Sequence, residues 1–220
     1  MKPKHIPMLF STAMVEAQLD GRKTETRRVF KLPKRLKHLE LQSATRIFQT
    51  GDFDLRFTDG SHWGMPAPYR RGDLIWVKEA WRTFGALDEW PPGDLLVKHP
   101  NLQINWKARG GSTGLSEDPG GRWRASMHLP KVASRLTLWV KGFGIERLHD
   151  ITQEGAIAEG CPGLYSPAHP DVGVTDGQTP VDEYAELWNS INGPEAWDKN
   201  PWVTVTKFEV IEQNILDVDF

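Results

Sequence analysis

The chain has 220 residues, with 27 basic against 29 acidic side chains, a formal net charge of -2 and one cysteine. Near-neutrality excludes a general nucleic-acid coat protein, which would be strongly basic. The lone Cys161 excludes an intramolecular disulfide and a four-cysteine zinc site, and it fits a reducing cytoplasm. Apolar residues make up only 39%, but ten Trp and nine Phe compensate, since each large ring buries roughly 150–250 Å². One domain with insertions is expected over residues 1–220. Met1 to Phe10 lacks the apolar stretch of a signal peptide, and no run approaches the roughly 18 apolar residues of a membrane span.

Pro7 to Phe10 reads as a short strand. Ser11 or Thr12 caps a helix over Ala13 to Leu19, which ends at Asp20-Gly21. Thr24 to Phe30 is β-branched enough for a strand, and its charges suggest that one face lines a cleft. Residues 31–65 read as an insertion with a small hairpin near Phe53 to Phe57 and a turn at Asp59-Gly60. Leu74 to Val77 is a buried strand. Residues 86–121 read as loop except for a strand at Gln103 to Lys107. Arg135 to Leu148 is the longest strand pattern. Thr152 caps a short helix ending at Glu159-Gly160. A Gly/Pro-rich loop follows over 161–180. Val181 to Ile191 is an amphipathic helix with Tyr184, Leu187, Trp188 and Ile191 inward. Trp202 to Ile211 is the closing strand. Strands outnumber helices and no glycine-rich dinucleotide fingerprint follows any of them, so the fold class expected is α+β, a small mixed β-barrel with flanking helices and loop insertions.

The strongest local feature is Gly21-Arg-Lys-Thr-Glu-Thr-Arg-Arg28. A regular strand places Lys23, Glu25 and Arg27 on one face and Thr24, Thr26 and Arg28 on the other. Burial and neighbouring positive charge both disfavour an ammonium group, so the Lys23 pKa should fall. A neutral lysine can then take a proton from a threonine hydroxyl, as in serine–lysine catalysis. A solvated basic strand edge explains the same spacing. Glu79 follows a buried strand and can reach a pocket floor, while Arg124, Ser126 and His128 stand together near it in sequence. Trp76, Trp81 and Trp123 can stack on a base. Cys161 lacks a basic activator and reads as structural. A zinc deaminase would need a P-C-x-x-C element, which one cysteine cannot supply.

Gly21, Lys23, Thr26 and Arg28 match G-x-K-x-x-T-x-R, and the chain resembles the ASCH superfamily, a PUA-like β-barrel group. Gly72-Asp73 with Leu74 to Val77, the helix Ile151 to Gly160 and the strand Trp202 to Phe208 resemble that family's later elements in order. Arg122 to Pro130 and Asn200-Pro-Trp202 are similar to stretches of larger phage-encoded and metagenomic members. The resemblance leaves out 31–65, 86–120 and 161–180. One branch of the family comprises N(4)-acetylcytidine amidohydrolases, and its catalytic residues fall on Lys23, Thr26 and Glu159. The resemblance therefore implies removal of an acyl group from the exocyclic amine of a modified cytidine, without cofactor or metal. Arg28, Glu79, Trp81, Arg124, Ser126 and His128 are the candidate substrate contacts. A modified-base or RNA-binding module, or a ribonuclease, would use the same pocket.

Overall fold

The computed structural model describes residues 2–47, 50–99, 101–110, 120–163 and 178–218. The chain forms two compact units, one of residues 1–21, 72–139 and 209–220, the other of 22–71 and 140–208.

In the first unit, β1 (His5–Leu9) runs parallel to β6 (Leu74–Lys78). Its helix α1 (Thr12–Leu19) begins where the Ser11 hydroxyl accepts the Met14 N–H. Such a cap satisfies one of the backbone donors a helix start leaves open. A short ribbon pairs β7 (Trp81–Arg82) with β8 (Asn105–Trp106). It buries Trp81, Ile104 and Trp106 against Leu95 and Leu129. Leu95 belongs to α2 (Pro92–Lys98), a helix inside a segment expected to be loop. Pro91-Pro-Gly93 reads as irregular chain, yet proline is well suited to a helix's first turn, where its missing N–H costs nothing.

In the second unit, β2 (Glu25–Val29) pairs antiparallel with β10 (Trp202–Ile211), with Thr26 opposite Thr206 and Arg28 opposite Thr204. A separate meander joins β3 (Leu41–Arg46), β4 (Phe53–Phe57) and β5 (His62–Met65). The hairpin expected at 53–57 is β4 with β5, but β3 was not expected. Its apolar residues do not alternate, and it is Phe53, Leu55 and Phe57 of the neighbouring strand that carry the core. The helices α3 (Gln153–Ala158) and α4 (Pro180–Asn192) pack Ala156, Tyr184 and Trp188 against Leu148 and Val203. Ile191, expected inward, is 54% exposed: it keeps the angular position of Tyr184 and Trp188 but lies in the last turn of α4.

The long strand β9 (Thr137–Arg147) completes a sheet of order β1-β6-β9-β10-β2. This overturns the expected barrel. Closure requires the two end strands to pair with each other. Among the described residues β1 pairs only with β6, and β2 only with β10, so the sheet is open. Strand patterning reveals that strands exist but not whether the last meets the first. The fold is α+β with mixed sheets. Residues 111–119 and 164–177, inside two of the expected insertions, lie outside the described residues.

Candidate active site

The candidate site lies in the second unit, where chain reversal at Gly21 delivers Lys23 to the end of α3. Thr152 starts that helix by accepting the Gly155 N–H at 3.1 Å. The helix ends at Glu159, and Gly160 turns the chain away at φ +97°, a conformation side chains disfavour. Lys23 and Glu159 face each other across an isolated antiparallel bridge. The Lys23 Nζ donates to the Glu159 carbonyl at 2.9 Å and directly contacts its carboxylate Oε2. Lys23 is 0% exposed and Glu159 3%. The solvated strand edge is thereby excluded for Lys23. A buried ion pair of this kind offsets its own desolvation only when the surrounding groups complete its hydrogen bonding.

Those groups are present. Tyr184 donates its hydroxyl proton to Glu159 Oε1 at 3.4 Å, and the Arg27 Nη1 lies 3.6 Å from the same oxygen. Arg27 also donates to Glu146 at 2.9 Å and Glu25 at 3.2 Å. The i, i+2 link between Glu25 and Arg27 shows that they share a face of β2, as strand alternation requires. Burial pulls the Arg27 guanidinium down, but Glu159, Glu146 and Glu25 together outweigh it and hold it above its ordinary value. Burial, with Glu159 beside it, pushes the Tyr184 phenol well above its usual range. Gly155 is needed here, since a Cβ at that position would stand 3.0 Å from the Arg27 guanidinium. Burial, reinforced by Glu183 and Glu159, pushes the Cys161 thiol up to about 12. The thiolate is therefore not accessible near neutral pH, in keeping with a structural cysteine.

Thr26 takes the other face of β2. It lies across from Thr206, whose Oγ1 is 2.7 Å from the Tyr69 hydroxyl. Among the described residues, no hydrogen bond joins the Thr26 hydroxyl to Lys23, whose Nζ is directed to Glu159. Arg28 is two residues along the same face. Burial lowers its pKa, while Tyr69 and Glu159 act in the opposite sense. The phenol of Tyr69 is raised by burial, with Thr206 and Arg28 opposing.

The other expected contacts belong to the first unit, where each has local partners. Glu79 is gripped by Arg135 through two hydrogen bonds of 2.9 Å. Burial raises its pKa and Arg135 lowers it. Trp81 is fully buried. Arg124 donates to the carbonyls of Leu87 at 2.8 Å, Asp88 at 3.1 Å and Trp90 at 3.2 Å, and so holds a loop in place. Ser126 and His128 bound one 3-10 turn, half-buried and exposed respectively. Among the described residues no cluster of histidine, cysteine and carboxylate side chains is placed to hold a metal, and no helix is long and apolar enough to cross a membrane.

Tyr184, Tyr69, Thr206 and Glu146 are the polar site residues that sequence reasoning did not single out. Tyr184 was read only as an apolar helix position. The even alternation of Thr204 and Thr206 along β10 is the one signal that marks a polar face.

No family model, curated protein or solved structure matches this chain.

Proposed function

We propose that this chain is a member of the ASCH superfamily that hydrolyses the acyl group from the exocyclic amine of N(4)-acylated cytosine derivatives. The observation that carries the reading is the direct contact of Lys23 with Glu159 in a buried setting. A cluster of buried titratable groups is a functional-site candidate. The contact also supplies both catalytic forms at once. One proton passing from the Lys23 ammonium to the Glu159 carboxylate leaves a neutral amine and a carboxylic acid. The amine then takes the Thr26 hydroxyl proton as the oxygen attacks the acyl carbon. The acid protonates the departing cytosine amine, so the charges balance. Water hydrolyses the Thr26 ester in a second step that uses Lys23 again. Nζ is bonded to Glu159 and Thr26 takes the other face of β2, so the reaction requires Nζ to leave Glu159 and meet the Thr26 hydroxyl when substrate enters. Delocalisation of its nitrogen lone pair into the pyrimidine ring makes the cytosine amine a better leaving group than an alkyl amine. A reducing cytoplasm is the proposed location.

The test is spectroscopic. The protein is incubated with N(4)-acetylcytidine and the ultraviolet spectrum is followed for cytidine. Release by wild type, lost in Lys23→Ala, supports the reading. Tight binding without release points to a non-catalytic modified-base reader instead.

A second reading, a single-stranded RNA-binding module, is favoured by one surface of the first unit. Arg82 of β7 and Lys107, just past β8, both approach the Trp123 ring, and Phe84 follows two residues after Arg82. Phe84 and Trp123 are 43% and 40% exposed. The Arg82 guanidinium lies 4.3 Å from the centre of the Trp123 ring, and the Lys107 Nζ 6.0 Å. Rings for bases and cations for phosphates are what a sequence-tolerant single-strand platform needs. Salt-dependent retardation of oligonucleotides, lost in Trp123→Ala, would support it.

A further inference from the structure

The reaction assigned to Lys23, Thr26 and Glu159 develops negative charge on the acyl oxygen, and a donor must meet it. Arg28, a candidate substrate contact, carries donors on this face, and the structure contains another arrangement beside it. Thr26 and Thr206 are directly opposed on antiparallel β2 and β10. Side chains so opposed have Cβ atoms about 4.5–5.5 Å apart. The Thr206 hydroxyl is bonded to the Tyr69 hydroxyl at 2.7 Å, with either oxygen able to act as donor. Tyr69 is held in place by an edge-on contact with Phe143, ring centres 4.8 Å apart.

Counting protons decides what this pair can do. Two hydroxyls carry two protons, and their mutual bond uses one. Whichever oxygen donates, the other keeps a proton free. Thr206 is 1% exposed, so water has little access to its hydroxyl. A buried donor with no partner is costly, whereas one aimed at charge that appears only in the transition state is catalytic. Burial keeps the Tyr69 phenol protonated to higher pH than usual, so the pair does not become an anion at neutral pH.

We propose that the Thr206–Tyr69 hydroxyl pair stabilises the oxyanion formed when Thr26 attacks the acyl carbon, with Thr206 as the direct donor and Tyr69 orienting it. This rests on the amidohydrolase reading above. The pair donates hydrogen bonds only, so no proton changes owner. The spacing suits the role. In a tetrahedral adduct the oxyanion lies close to the attacking oxygen, and a donor on the opposed strand can reach it at roughly 2.7–3.1 Å.

Steady-state kinetics on N(4)-acetylcytidine test it. Thr206→Val should lower kcat about 10²–10³-fold, the usual loss for one oxyanion donor, with KM little changed. Thr206→Ser should restore most of the rate. Tyr69→Phe should cost less, because Thr206 keeps its own proton. If the valine variant does not fold, Thr206→Ala removes the same hydroxyl and decides the question. A folded valine or alanine variant with wild-type kcat overturns the proposal, as does a serine variant no better than alanine. If wild type itself releases no cytidine, it is the amidohydrolase reading that fails, and this assignment falls with it.

Discussion

Lys23 is the residue on which most depends. A fully buried lysine has one compensating partner at its tip, the Glu159 carboxylate. Lys23→Ala should abolish deacylation and leave Glu159 facing Arg27 and Tyr184. Lys23→Arg should fail as well, since a guanidinium does not act as a base near neutral pH. Rates and circular dichroism on both variants check this, and an active arginine variant would remove the general-base role. Glu159→Gln keeps the size but cannot carry the proton. It should bind product cytidine nearly as well as wild type while turning over about 10²–10⁴-fold more slowly, the usual span for general acid–base catalysis. Unchanged turnover would sink the acid role of Glu159 alone. The Cys161 thiol is pushed up to about 12 by burial. Activity should therefore survive a thiol-blocking reagent at neutral pH, and rapid loss of activity with stoichiometric labelling would contradict this.

At the scale of elements, two helix starts hold the site. Thr152 caps α3, which ends at Glu159. Thr152→Ala should cost about 1 kcal/mol, the usual value of such a cap, and should lower activity further than the stability loss alone explains. Thermal melts paired with kinetics measure both. Thr179 and Asp182 form a reciprocal capping box at the start of α4, the helix that supplies Tyr184. Hydrogen bonds from Thr179 hold the Asp182 carboxyl below its ordinary value. A carboxyl depressed in the folded state stabilises above its unfolded pKa, about 3.9, and that contribution is lost as pH falls through the folded value. The melting temperature should drop on acidification through this window, and Asp182→Asn should flatten part of the drop. A variant with the wild-type pH profile would show that the box contributes nothing to acid sensitivity. The cap signals at Ser11, Thr152 and Thr179 are local, so the first two were readable from sequence. The helix α2 was not, because its proline and glycine look the same in a loop and in a first helical turn.

For the whole molecule, the long strands and most helices were legible, since alternation and capping are properties of neighbours in the chain, whereas β3 and the two-residue β7 were not. Sheet closure was not. It depends on whether β1 meets β2, which the pattern within neither strand records, and the open order β1-β6-β9-β10-β2 is the outcome. The site divides in the same way. The facing of Lys23, Glu25 and Arg27 followed from strand period. The Lys23–Glu159 contact spans 136 positions and came only through resemblance. Tyr69 and Thr206, 137 positions apart, were invisible because a tyrosine in a loop and a threonine in a strand carry no sign of each other. The measurement that tests the central claim most directly is the ultraviolet assay of N(4)-acetylcytidine with wild type and Lys23→Ala side by side. The account requires cytidine to appear with wild type and not with the variant. Equal release by both, or none by wild type under conditions where it binds the nucleoside, would contradict it.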